Sequence, residues 1–206
     1  EHLADYTARL KEIFRKYGTS GMFYAHASVG TLHVRPVLNM KSDKDIENMR
    51  SISEEAFEMV KDYKGSHSGE HGDGIVRSEF HEMMFGKKIT NAFEEIKDTF
   101  DNKNLLNPGK IVRPFKSNDR SLMRYKSGYQ AENISTHYDW SNWGQFSDAV
   151  EMCNNNGACR KLDSGVMCPS YRVTKEEKDL VRGRANSLRL ALSNQLPEGS
   201  FASKEM

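Results

Sequence analysis

Residues Gly21–Asn39 read GMFYAHASVGTLHVRPVLN. The run is aromatic and β-branched, broken once at Gly30-Thr31. That pattern predicts two strands joined by a tight connection. Pro36 cannot donate to a ladder, which puts the second strand near an edge or at a bulge. Ahead of the strands, Leu3, Tyr6, Leu10, Ile13, Phe14 and Tyr17 recur at helical spacing until Gly18 stops them. Behind them, Ser42-Asp43 opens a long helix with an apolar stripe of Ile46, Met49, Phe57 and Val60. Asp43, Asp45 and Glu47 suit its N-terminal end. Ile89, Phe93, Ile96 and Phe100 mark another amphipathic helix, which ends before Asn107-Pro108-Gly109-Lys110. Helix, two strands, helix, loop, helix is an α+β order, not a repeated βα alternation.

The loop in that series is Gly65–Gly74, GSHSGEHGDG, with two imidazoles, two carboxylates and four glycines in ten residues. So much glycine costs too much backbone entropy for a regular element. The charged groups resist burial without partners. The stretch therefore reads as a tight polar loop that approaches a metal, a flavin ring or a substrate anion.

Composition narrows the classes. Across 206 residues, 30 Lys and Arg nearly balance 29 Asp and Glu, so bulk charge gives no reason to expect a nucleic-acid or membrane-surface partner. No apolar run approaches the roughly 20 residues of a membrane span. The chain opens EHLADY, without an initiating Met or signal peptide, and goes straight into helical periodicity. It is expected to be a piece of a longer protein. Three cysteines within sixteen residues suggest thiolate ligands rather than a disulfide framework, in a reducing, cytoplasmic setting.

Beyond Lys110 the character changes. Residues 111–145 carry tyrosines, both tryptophans, serines and asparagines with little periodicity, and read as irregular strands and loops linking two units. Trp140 and Trp143 are expected mainly to pack cores. A short helix from Phe146 leads to the cysteines, and a last helix is expected from about Thr174 to Asn194. The polar tail from Leu196 is expected to fray. The segment Met152–Ser170, MCNNNGACRKLDSGVMCPS, holds Cys153, Cys159 and Cys168, with Pro169 after the last. Cys-Pro closes the bacterial iron–sulfur run C-x₂-C-x₂-C-x₃-C-P. Here Asn156 stands where the second Cys belongs, and the spacing from Cys159 to Cys168 is stretched. Three thiolates are one short of a cubane cluster. Zinc, or three free thiols, are the alternatives. Arg182 and Arg184 either lie near a cluster's negative charge or are plain surface charges.

His26 and His33 flank the strand connection, so two adjacent strands can bring them to one site. Two imidazoles and a carboxylate suit a divalent metal such as zinc with an open position, and Glu70 is the best carboxylate candidate. Ordinary strand histidines are the competing reading. His71, beside Glu70, is a candidate general base. Arg35 and Arg77 are candidates to fork onto a substrate carboxylate.

The motifs HASVGTLH and SGEHGDG, followed by LLNPGK, resemble the C-terminal part of FAD-linked oxidases, the family of D-lactate, glycolate and D-2-hydroxyglutarate dehydrogenases. The resemblance covers roughly residues 1–112. It implies an antiparallel sheet with helices packed on one side, in a ferredoxin-like domain. His26, His33 and Glu70 would be metal ligands, and His71 would take the proton from the substrate hydroxyl as hydride passes to FAD. Asn107, in the closing NPGK motif, would contact FAD. The turn Ala27–Thr31 is less acidic and poorer in glycine than is usual there. The family's FAD-binding domain lies N-terminal to this segment, and no flavin-cradling fingerprint precedes residue 21. Most of the FAD site should therefore lie outside this chain, which alone should be inert.

The cysteine segment, with Pro169-Ser170-Tyr171 and Arg182-Gly183-Arg184, looks like the iron–sulfur subunit of glycolate oxidase and its fused relatives. There a further Cys-rich motif follows, and Cys168 would ligate a cluster shared with that segment. Together the resemblances divide the chain into an oxidase C-terminal domain (1–112), a linker (113–145) and a partial, mostly helical iron–sulfur module (146–206). They imply a dehydrogenase of a small D-2-hydroxy acid, of the D-2-hydroxyglutarate or D-lactate type. Electrons would pass from FAD to a 4Fe-4S cluster and on to an acceptor, since a flavin converts a two-electron hydride into single electrons. A two-carboxylate acid would use both Arg35 and Arg77. The rival readings are a zinc-stabilised docking subunit and a metal-dependent hydrolase using His26, His33 and Glu70.

Overall fold

The structure is a computed structural model that describes residues 2–165, 167–197 and 199. The chain is α+β and divides into two compact units, Glu1–Gly128 and Tyr129–Met206.

In the first unit, α1 (Leu3–Lys16) ends where Gly18 takes a φ of 68°. Strands β1 (Gly21–His26) and β2 (Thr31–Pro36) form an antiparallel hairpin, connected by a 3-10 turn over Ala27–Val29 and a left-handed Gly30. Pro36 closes β2 opposite Gly21, where a missing N–H costs no further rung. The pleat separates two faces. Phe23, Leu32 and Val34 pack on the core made by Leu10 of α1 with Ala56 and Met59 of α2 (Asp43–Asp62). The opposite face carries Met22, Tyr24 and His26 against Arg35, His33 and Thr31.

Ser42 caps α2, accepting the Asp45 amide at 3.3 Å. The buried side of α2 is Ile46, Ile52, Ala56 and Met59, while Met49, Phe57 and Val60 are half-buried. The inward stripe is thus rotated from the expected one toward smaller residues that let α1 approach. Leu10, Phe14 and Ile46 are fully buried, and each contributes on the order of 1.5–3 kcal/mol of transfer free energy.

After α2 the Gly-rich loop runs irregularly into two short helices that periodicity does not reveal, α3 (Gly74–Ser78) and α4 (His81–Phe85). Helix α5 (Lys87–Phe100) follows as expected, but none of its residues is buried, and Ile96 and Phe100 are exposed. Residues 110–118 strap the unit together. Ile111 N–H donates to Ser78 Oγ at 2.9 Å, and Ser117 N–H donates to the Glu79 carboxylate at 2.8 Å. The Asn107–Lys110 turn closes tightly: a Cβ on Gly109, where φ is 73°, would fall 2.0 Å from the Phe115 ring.

In the second unit, α6 (Phe146–Glu151) forms as expected. Residues 113–145, which end the first unit and begin the second, hold turns and two 3-10 segments, with no strand among them. Trp140 packs on Trp143 and Phe146, with ring centroids 6.2 and 5.4 Å away. The expected long last helix is two. Helix α7 (Pro169–Thr174) ends at Lys175, which adopts a φ of 61°, and α8 spans Val181–Leu192 after a 3-10 turn at Glu177–Asp179. Gly183 allows this break, because a Cβ there would overlap the Glu177 carbonyl oxygen at 1.9 Å. The expected fraying of the tail falls mostly on positions 198 and 200–206, outside the described residues.

Candidate metal and catalytic site

The hairpin and the Gly-rich loop meet. A Cβ on Gly69 would come 3.0 Å from Thr31 Cγ2, so glycine lets the loop lie close against the start of β2. That approach delivers Glu70 to the polar face of the hairpin. His33 lies opposite Tyr24 and His26 opposite Thr31, so the two histidines are diagonal neighbours on one face, with ring centroids 5.1 Å apart.

Glu70 Oε1 is the hub. It sits 2.9 Å from His33 Nε2, 3.2 Å from His71 Nε2 and 3.4 Å from His26 Nε2. The His33 and His71 rings are 5.0 Å apart. One donor atom from each of His26, His33 and Glu70 lies within 4.8 Å of the others. Ligands about 2.1 Å from a divalent ion stand roughly 3.0–3.4 Å from one another, so this donor set fits such an ion after small adjustments. The His33 side chain is 19 % exposed, whereas those of His26 and His71 are 57 % and 62 % exposed. The site therefore has an anchored ligand at its back and an open mouth.

Arg35 is on the same strand face as His33, two residues along, with its guanidinium carbon 5.4 Å from the Tyr24 ring centroid. Arg77, on α3, donates from Nη1 to the Gly72 carbonyl at 3.2 Å. Neither arginine forms an ion pair among the described residues, which leaves both cations unneutralised. Asn107 takes a φ of 47° in the closing turn, and its Oδ1 accepts from Lys110 Nζ at 3.3 Å.

A second cluster went unassigned in the sequence reading. His67 and Asp73, from the same loop, meet His81 of α4 beneath it. The His67 and His81 side chains are 0 % and 4 % exposed. His81 Nε2 is 3.0 Å from Asp73 Oδ2, and His67 Nε2 is 3.8 Å from Asp73 Oδ1. Burial pushes the His67 imidazole below its ordinary pKa, against the pull of Asp73. Neither ring nitrogen of His67 makes a hydrogen bond of good geometry, although the Arg77 backbone carbonyl also pulls its pKa upward. A buried polar group in that condition costs about 1–3 kcal/mol. The backbone here follows no period, so no spacing rule could group these residues. The only sequence signal was the count of imidazoles around one short loop.

In the second unit Cys153, Cys159 and Cys168 form no disulfide; Cys159 and Cys168 are buried with Tyr171 and Leu180. Their sulfurs do not all fall within 4.8 Å of one another, so they do not form the compact set that a single zinc would need. The Cys168 thiol is held below its usual pKa, first by the Tyr171 backbone N–H, then by Val181 N–H and by Arg184, with burial opposing. Arg182 pairs with Glu177 at 2.7 Å and donates to the Asn155 carbonyl at 3.4 Å.

The first unit is thus an α+β domain whose exposed mouth gathers two imidazoles and a carboxylate in a donor set that could hold a divalent ion. Comparison with known proteins makes this specific. Residues 1–111 match the family described as FAD linked oxidases, C-terminal domain, and the chain belongs to that family. It is 36 % identical over 190 residues to D-2-hydroxyglutarate dehydrogenase of Pseudomonas putida, a match covering 92 % of this chain and 18 % of that protein. It is 32 % identical to the protein of the same name from Escherichia coli, covering 98 % of this chain and 21 % of the relative. D-lactate dehydrogenase of Archaeoglobus fulgidus is 33 % identical over 111 residues, covering 54 % of this chain and 24 % of the relative. The chain thus spans about a fifth of the length of these relatives. No solved structure matches the chain significantly. Among the described residues no helix is long and apolar enough to cross a membrane.

Proposed function

We propose that this chain is the substrate-side part of an FAD-dependent dehydrogenase that oxidises D-2-hydroxyglutarate to the 2-oxo acid. The observation that carries the proposal is the convergence of His26, His33 and His71 on one oxygen of Glu70. His26, His33 and Glu70 would hold a divalent ion, zinc being the first candidate. When bound, the ion supplies a Lewis acid for the substrate oxygens, and FAD supplies the acceptor for the hydride from C2.

The residues of this chain do the rest. His71 stands beyond the ligand set, on the same carboxylate, and takes the hydroxyl proton of the substrate; Glu70 fixes the ring that receives it. Arg35 holds one substrate carboxylate from the strand and Arg77 the other from α3. Support for a two-carboxylate acid comes from the relatives that span the chain. The matches to D-2-hydroxyglutarate dehydrogenases of Pseudomonas putida and Escherichia coli run through both units, whereas that to D-lactate dehydrogenase covers half of the chain. Asn107 is proposed as a contact toward FAD.

Cys153, Cys159 and Cys168 would supply three thiolates to an iron–sulfur cluster whose fourth comes from elsewhere. Support comes from Cys168, whose thiol is held below its usual pKa by backbone N–H groups and by Arg184, as a thiolate ligand requires. Reduced thiols suit a cytoplasmic setting.

A substrate panel on the full-length protein containing this chain tests the proposal. D-2-hydroxyglutarate should give the highest kcat/KM. Arg35→Met or Arg77→Met should cut it roughly 10- to 150-fold, the loss of a charge-assisted bond, with a smaller effect on D-lactate. Equal rates on alcohols lacking a carboxylate would overturn the arginine roles. Full-length protein isolated without flavin would overturn the reaction class. Iron with acid-labile sulfide in anaerobically prepared protein is expected, and zinc on the thiols would contradict the cluster.

A further inference from the structure

We infer that His67, Asp73 and His81 form a second metal site, buried beneath the loop and structural in role. The donor chemistry of His81 leads to this. Its Nδ1 lies 3.2 Å from the Ile111 carbonyl, which can only accept, so Nδ1 carries the proton. The other nitrogen, Nε2, is turned to a carboxylate oxygen 3.0 Å away. Either a proton on that nitrogen or a metal ion between the two atoms holds them there, and a metal-bound histidine typically donates its remaining N–H to a carbonyl as Nδ1 does here.

His67 completes the set. It is 7 % exposed, and the Arg77 backbone carbonyl is its one backbone partner, short of good hydrogen-bond geometry; Asp73 Oδ1 and His81 Nε2 also lack a well-formed hydrogen bond. The unsatisfied atoms of three residues thus face one another, and one donor atom from each lies within 4.8 Å of the others. The surroundings are aromatic, with solvent reaching the Asp73 and Phe85 side. Phe57 and Phe85 pack on the His67 ring at 5.1 and 5.9 Å, and Phe85 and Phe93 pack on His81 at 5.5 and 6.3 Å. Two neutral imidazoles and one carboxylate suit zinc or a similar divalent ion.

The site's place in the chain gives its use. His67 and Asp73 bracket Glu70 and His71 in the loop, and His81 belongs to α4. An ion joining them would tie the base of the loop to the helical floor and hold its outward residues in position. The inference does not depend on the reading of the exposed cluster.

The test is zinc stoichiometry in the whole chain with Cys153, Cys159 and Cys168 changed to Ser, after metal stripping and reloading. Two ions per chain are expected. The added pair His26→Ala and His33→Ala should leave one, and zinc should still raise the Tm of that variant. Adding His67→Phe, which suits the aromatic surroundings, should remove the last ion. If that variant does not fold, cobalt titration of the His26→Ala/His33→Ala protein replaces it, and paramagnetic broadening should fall on the ring signals of His67 and His81. No ion in the His26→Ala/His33→Ala protein would overturn the inference. So would an ion indifferent to His67→Phe, broadening elsewhere, or ¹⁵N shifts showing His81 as an imidazolium paired directly with Asp73.

Discussion

The decapeptide Gly65–Gly74 faces two ways. Glu70 and His71 look outward to the hairpin histidines, with side chains 44 % and 62 % exposed. His67 and Asp73 look inward to His81, and the histidines there are buried. Both clusters contain histidines and a carboxylate within reach of a common point, yet solvent decides what each can do. The outer set can exchange ligands and accept a substrate. The inner set is lined by aromatic rings with both imidazoles buried, which leaves it little room for a substrate. One loop therefore carries chemistry on one side and its own fastening on the other.

The largest expected difference is in catalysis. In the full-length protein, His71→Asn should lower kcat by about 10²–10⁴-fold, the usual worth of a positioned base, with metal content unchanged. Glu70→Gln should lose activity and the outer ion together, because it removes the hub of the cluster. His71→Asn should unfold within about 0.5 kcal/mol of the parent, as exposed substitutions outside a ligand set do. If His71→Asn strips the metal, its assigned role is wrong.

The inner cluster should answer in stability. His81→Ala leaves the Ile111 carbonyl without its partner and empties a buried position, and should cost about 1–3 kcal/mol in urea unfolding. An effect near zero would mean the inner face fastens nothing.

A smaller effect concerns acid. Burial alone would push the Glu79 carboxyl up, but hydrogen bonds from Ser117 and Arg50 outweigh it and hold the group below its usual range. Its contribution to stability is therefore complete above the unfolded value, about 4.3, and is lost as pH falls through the lower folded value. Unfolding followed from pH 6 to pH 3 should show a steeper acid decline in the parent than in Glu79→Gln. Equal slopes would remove Glu79 from the floor on which the inner cluster rests.

How far the sequence could be read follows the same division. The hairpin was legible because Gly21–Asn39 alternates between a core face and a polar face, and Pro36 and Gly30 mark its limits. The Ser42 cap was legible because a side-chain oxygen before an acidic turn has one ready use. Glu70 and His71 were picked out by chemistry, and the hairpin histidines by the strand connection between them. The inner cluster was not legible, since irregular backbone imposes no period on His67, Asp73 and His81. The last helix was overextended because Thr174–Asn194 reads as helical until Lys175 turns left-handed and the Glu177 carbonyl packs against Gly183. The stripe of α5 was correctly seen as apolar, but amphipathicity alone does not say what covers it.

The central claim is that the outer cluster binds a divalent ion. Anomalous diffraction at the zinc edge from crystals of the zinc-loaded chain tests it directly. The account predicts a peak within bonding distance of His26 Nε2, His33 Nε2 and the Glu70 carboxylate, with His71 beside it but unbonded. A map with no peak there, or with zinc only at the thiols of Cys153, Cys159 and Cys168, would contradict it.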